Sequence, residues 1–137
     1  MKYSIMFVDD SISVLESLKW IFKDEPYNLF AFDSPIDALN VLEYTDIAVV
    51  VADQFMRKMD VLEFLKILSM KSPYTMGIIM TGYNGIKEKF DTIYPGFVYQ
   101  FVKKPLDNIE IKQAVKTAID YYEIKLDSIR QAVYHKQ

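Results

Sequence analysis

The constraint that most narrows the fold is a regular alternation of two hydrophobic periods along the chain. Short apolar runs rich in β-branched and aromatic residues occur at Tyr3–Val8, Tyr27–Phe32, Ile47–Ala52, Met76–Met80 and Val98–Val102. Runs of this length and composition read as buried strands. Between them lie stretches with apolar residues at helical spacing. Ser13–Lys23 carries Val14, Leu15, Leu18, Ile21 and Phe22 on one stripe, and 61–70 carries Val61, Leu62, Phe64, Leu65 and Leu68. Ser34-Pro35 joins an N-cap to a first-turn proline and opens a helix to Tyr44. A weaker helical signal spans Asn84–Thr92, between Gly82-Gly85 and Pro95-Gly96, and Asp107 caps a last helix running toward Gln137. Strands alternating with helices predict an α/β fold, a doubly wound parallel sheet with helices on both faces.

At 137 residues and 51% apolar, one sizeable core and a single domain are expected. A net charge of −3 with interspersed signs gives no basic patch for nucleic acid. No stretch has the length and apolarity of a membrane span, and Met1-Lys2-Tyr3-Ser4 does not open a signal peptide. The absence of cysteine excludes disulfides and thiolate metal sites and suits a reducing, cytoplasmic setting. The single histidine, His135, excludes a core Ser-His or Cys-His triad.

The chemistry lies where the apolar runs end. Asp9-Asp10 closes the first run and Asp53 the third. In an open parallel sheet the strand C-termini meet at one crevice, so three carboxylates would crowd together. Like charges that close need protons or a cation, and a hard divalent metal with oxygen ligands answers this. Thr81 ends the fourth run, and Lys104-Pro105 follows the fifth. Taken singly these are ordinary residues: turn-forming aspartates, a loop cap, a solvated lysine, a core phenylalanine at 101. Jointly they would have to coincide at one sheet edge.

With Asp9-Asp10, the aspartate of Asp53-Gln54-Phe55-Met56, Thr81 before Gly82, Phe101, and Lys104 before Pro105, the chain resembles the receiver domain of two-component response regulators over about residues 3–124. The resemblance implies the flavodoxin-like receiver fold with strand order 2-1-3-4-5. It assigns residues 1–124 to the receiver and 125–137 to a helical extension. It implies phosphoryl transfer from a sensor histidine kinase or phosphotransfer protein onto Asp53, forming an acyl phosphate. Mg²⁺ would be held by Asp10 and Asp53, by Asp9 directly or through water, and by the backbone carbonyl of Phe55. Lys104, after which the family has a cis proline, would pair with a phosphoryl oxygen and Thr81 would donate to another. Thr81 and Phe101 would form the switch, read out around 84–92, the fifth strand and the last helix. Such a domain catalyses its own phosphorylation and is not a turnover enzyme on small substrates.

The family's Met-Pro-x-Met-x-Gly after the acceptor here reads Met56-Arg57-Lys58-Met59-Asp60-Val61. This loop loses its φ-fixing proline and its permissive glycine, and gains positive charge beside the site. Phe55 and Tyr83 occupy positions flanking the route of an attacking water, which implies slow self-dephosphorylation. A phosphohydrolase would carry a second acid two residues after Asp53, where Phe55 stands. A flavin binder would have a hydroxyl- and glycine-rich loop in place of Asp9-Asp10-Ser11. A degenerate receiver acting as a phosphorylation-independent dimerisation module is the remaining alternative.

From Asp107 to Gln137 there is no proline or glycine, so the last helix can reach roughly 45 Å. Ile111, Val115 and Ala118 would pack on the domain. Ile119, Tyr122, Leu126, Ile129 and Val133 recur at steps of three and four, a short a/d seam suited to a homodimer. The alternative is a tail folded back on its own domain. The stretch Tyr99–Asp107 and Tyr121-Tyr122-Glu123 look like receivers that precede an output domain.

Overall fold

The computed structural model describes residues 2–82 and 100–135. The chain alternates as β1 (Tyr3–Val8), α1 (Ile12–Ile21), β2 (Tyr27–Phe32), α2 (Pro35–Val41), β3 (Val49–Asp53), α3 (Val61–Lys71) and β4 (Met76–Thr81), and then β5 (Gln100–Lys103) and α4 (Asn108–His135). The helix expected over Asn84–Thr92, Tyr83, and the start of the last strand at Val98-Tyr99 lie outside the described residues.

Local chemistry sets the helix boundaries. The Ser11 hydroxyl accepts from the Val14 N–H, so α1 begins before the expected Ser13. Ser34 caps α2 ahead of Pro35. This helix stops at Val41 rather than Tyr44, because Leu42, Glu43 and Tyr44 N–H groups reach carbonyls three residues back, at Leu39, Asn40 and Val41. The Asp60 carboxylate accepts from Leu62 N–H at 2.8 Å and starts α3. Asp107 accepts from the N–H groups of Ile109 and Glu110, at 2.9 and 3.0 Å, and caps α4 as expected.

All strand pairs are parallel, in the order β2-β1-β3-β4-β5. Side chains alternate across the sheet, which divides the core in two. Ile5, Phe7, Val49, Val51, Ile78 and Met80 pack under α1 and α4, with Leu18, Phe22, Val115 and Ala118. Met6, Val8, Val50, Ala52 and Ile79 pack under α2 and α3, with Leu39, Phe64, Leu65 and Leu68. The central strands β3 and β4 are buried throughout, which explains their unbroken apolar runs. The registers Val8↔Ala52, Asp53↔Met80 and Thr81↔Lys103 bring the strand ends to one edge. Because β1 lies between β2 and β3, the chain moves outward to β2 and then crosses back to β3 on the other side of β1, and this edge is the topological switch point where such sheets bind ligands.

The long helix corrects one expectation. Ile119 does not open an intermolecular seam: it is 6% exposed and belongs to the core under α1 and α4. Tyr122 is also engaged by its own domain, edge-on to Tyr3 with ring centroids 6.4 Å apart. The i, i+3, i+4 spacing is shared by a coiled-coil seam and a core-facing stripe, so sequence spacing did not separate the two. Leu126 is half-buried, whereas Ile124, Ile129 and Val133 are exposed.

The α3 anchor Phe64 is fully buried, and Met70 on the same helix is exposed. Phe64→Ala is expected to lower the unfolding free energy by about 3–5 kcal/mol. Met70→Ala should change it by no more than about 0.5 kcal/mol. Urea denaturation of the two variants checks this.

Candidate functional site

Two strand ends and the residues that follow two other strands supply the polar groups at the switch-point edge. Asp9 and Asp10 follow β1, Asp53 ends β3, Thr81 ends β4 and Lys104 follows β5. The Asp9 N–H is tied to Phe32 O at 3.1 Å, and the Lys104 N–H to Thr81 O at 2.8 Å. The Lys104–Pro105 peptide is cis, as the resemblance implied. Lys104 Nζ lies 2.9 Å from Asp53 Oδ1 and 3.3 Å from Asp9 Oδ2, so one ammonium bridges the two acids. The other Asp9 oxygen, Oδ1, accepts from Ser11 N–H at 2.8 Å.

The electrostatics follow from this burial. Desolvation pushes the Asp9 carboxyl above the ordinary aspartate range and the nearby Asp53 charge adds to it, against the Ser11 N–H and Lys104. For Lys104, burial works against the charged form, but its bonds and charge pairing with Asp53 and Asp9 prevail. Its ammonium is therefore held above the ordinary lysine value. The two acids differ in access. The Asp9 side chain is 2% exposed and that of Asp53 is 13% exposed, so Asp53 is the one an external reactant can reach.

Asp10 has a different partner. Its Oδ2 accepts from the Arg57 main-chain N–H at 2.7 Å and lies 3.3 Å from Arg57 Nε. The positive charge expected from the β3–α3 loop is thus placed on a site carboxylate. The same contact anchors the loop, together with Gln54 N–H on Met80 O at 2.9 Å and buried Met56. Among the described residues no non-glycine residue has positive φ, so the loop's lack of glycine leaves no strain.

Thr81 is buried and donates its hydroxyl hydrogen bond to the Gln54 side-chain oxygen. Gln54 was missed as a site residue, because beside an acidic strand end it reads as an ordinary loop residue. The signal lies in the register: Asp53 opposite Met80 sets Gln54 beside Thr81. Phe101 is half-buried against the core under α2 and α3, and the Phe55 side chain is 62% exposed. Among the described residues no three acidic or imidazole groups are gathered as a metal-binding set. Asp9 and Asp53 converge on the lysine, and Asp10 turns to the arginine.

Removing the ammonium would leave two buried like charges uncompensated. Lys104→Met is expected to lower stability by about 2 kcal/mol at neutral pH, the scale of hydrogen bonds to charged groups. Loss of the lysine pushes Asp9 further upward, and a group raised in the folded state favours folding at low pH. The deficit should therefore shrink as pH falls toward about 4, where carboxylates protonate. Thermal unfolding of parent and variant across pH measures it.

Comparison with known proteins agrees with this geometry. Residues 5–116 match the response regulator receiver domain family. The chain is 25% identical over 127 residues to a putative NtrX-like response regulator of Rickettsia bellii, covering 91% of this chain and 26% of that protein. It thus spans about a quarter of the length of the first curated relatives it matches. It is 29% identical over 116 residues to sporulation initiation phosphotransferase F of Bacillus subtilis, covering 85% of this chain and 93% of that one. The crystal structure of a CheY-like response regulator receiver domain protein from Methanospirillum hungatei superposes with a TM-score of 0.82 at 22% identity, covering 91% and 99% of the two chains. With its sheet order, its strand-end acids and lysine, and a match that spans most of its length, this chain belongs to the response regulator receiver domain family.

Proposed function

We propose that Asp53 is the phosphoacceptor, taking a phosphoryl group from a phosphohistidine of a sensor kinase or phosphotransfer protein. The observation that carries this is the shared lysine: of the two acids on Lys104, Asp53 is the accessible one. A carboxylate oxygen of Asp53 attacks phosphorus, the P–O bond forms as the donor's P–N bond breaks, and the leaving imidazole takes up a proton. Lys104 exchanges a carboxylate partner for a phosphoryl oxygen, and Thr81 donates to another.

Receiver domains of this family generally hold Mg²⁺ at the acidic pocket. The donor chemistry here fits it once the present partners are exchanged: Asp9, Asp10 and Asp53 supply hard carboxylate oxygens at the ends of β1 and β3, and the Phe55 main-chain carbonyl would be a further ligand. Bound there, the cation would neutralise charge on the transferring group. Asp10 would exchange Arg57 for the metal, and Lys104 would move off the acid pair. The phosphohydrolase reading lacks a second acid, since position 55 holds an exposed phenylalanine. That bulky side chain also supports a slow loss of phosphate. The flavin reading fails on charge, because buried Asp9 and nearby Asp10 would repel a phosphate group.

The output side consists of β5 with Phe101 and of α4. Among the described residues no helix is long and apolar enough to cross a membrane, and the reading places the domain in the cytoplasm with its kinase partner. The exposed Ile124, Ile129 and Val133 of the helical extension support pairing of two chains and connection to an output domain. A purely structural dimerisation module would not need the complete set of strand-end acids, hydroxyl and lysine.

With a small phosphodonor and Mg²⁺, the parent should gain one phosphoryl group, seen as a mass increase. Asp53→Ala and a chelator should each abolish it, and Asp10→Ala should abolish the metal-dependent labelling while leaving the fold intact. Unchanged labelling of Asp53→Ala would overturn the assignment. For the helix, truncation after Tyr122 keeps the core residues and is expected to lower the light-scattering mass from dimer to monomer. A full-length chain that stays monomeric at high concentration, with and without a phosphoryl mimic, would refute the pairing.

A further inference from the structure

We infer that Gln54 is a positioning residue for the switch, holding the Thr81 hydroxyl in the resting state so that a phosphoryl group must compete with it. The inference rests on the reading of Asp53 as phosphoacceptor and Thr81 as the donor to the phosphoryl group.

The Thr81 hydroxyl donates to the Gln54 carboxamide oxygen, and the two residues are 5% and 8% exposed. A hydroxyl carries one proton. While that proton is on Gln54, Thr81 cannot donate it to a phosphoryl oxygen. The two hydrogen bonds exclude each other, and their balance sets where Thr81 rests. Water competes little for either group, because both are buried.

The Gln54 backbone is fixed independently of the side chain. Its N–H bonds Met80 O at 2.9 Å, continuing the β3–β4 pairing by one residue. The carboxamide is thus delivered to Thr81 by the sheet itself. It is a neutral acceptor, whereas a phosphoryl oxygen is charged, and charge-assisted bonds are the stronger kind. Phosphorylation therefore wins the proton, but by a margin that Gln54 narrows. An apolar residue at position 54 would leave Thr81 without this competing acceptor and shift the population toward the phosphoryl-facing arrangement.

Beryllofluoride with Mg²⁺ serves as the probe for the acyl phosphate, its affinity read by fluorine NMR titration of the full chain. Gln54→Leu should bind it about fivefold more tightly than the parent, the scale set by one net neutral hydrogen bond. Gln54→Met gives the same comparison with a side chain of similar length, should the leucine variant fold poorly. In a Thr81→Val background the gain should vanish, because no hydroxyl remains to be released. Equal affinity of parent and Gln54 variants overturns the inference alone. A gain of the same size with and without Thr81 also overturns it, since the effect would then arise from packing. A parent that takes up no beryllofluoride overturns the underlying site reading as well.

Discussion

Two acids buried at one sheet edge have to be compensated, and Lys104 does this with a single ammonium 2.9 Å from one and 3.3 Å from the other. The rest of the site is arranged around that bridge. Asp9 has its remaining oxygen on the Ser11 N–H at the start of α1, so the acid, the cap and the lysine connect β1, α1 and β5. The bridge keeps its charge, because the two carboxylates outweigh the burial that works against the charged form of Lys104. Any cation or phosphoryl group entering the edge changes which partner each charge keeps.

Around the bridge sit two further contacts that govern the same edge. Arg57 engages Asp10 through its main-chain N–H and its guanidinium, and Gln54 engages Thr81. Both come from the β3–α3 loop, where this chain departs from the family's proline and glycine. The loop is shaped by contacts rather than by intrinsic backbone restriction: Asp10 on one side, Met80 on the other and Met56 buried below. Of these anchors Asp10 is also one of the strand-end acids, so the loop and the edge share a group.

The long α4 helix serves two surfaces in succession. Up to Tyr122 it closes the core under α1 and α4, and beyond it presents exposed Ile124, Ile129 and Val133. The helix runs unbroken from Asn108 to His135, so both surfaces belong to one continuous element.

Much of this was legible in residue order. The alternation of apolar runs and helical stripes determined an α/β sheet, because strand and helix periods differ and each must bury one face. Asp9, Asp53, Thr81 and Lys104 were legible because each closes or follows an apolar run, and parallel strands bring such ends together. What sequence spacing left open is whatever depends on contacts between distant segments. Ile119 fits a seam and a core equally well until the sheet is present beneath it. The partners of Asp10 and Thr81 lie 47 and 27 residues away in the chain. Only β-sheet register and loop anchoring choose Arg57 and Gln54 for those roles, because hydrogen bonds act over about 3 Å and sequence distance says nothing about that approach.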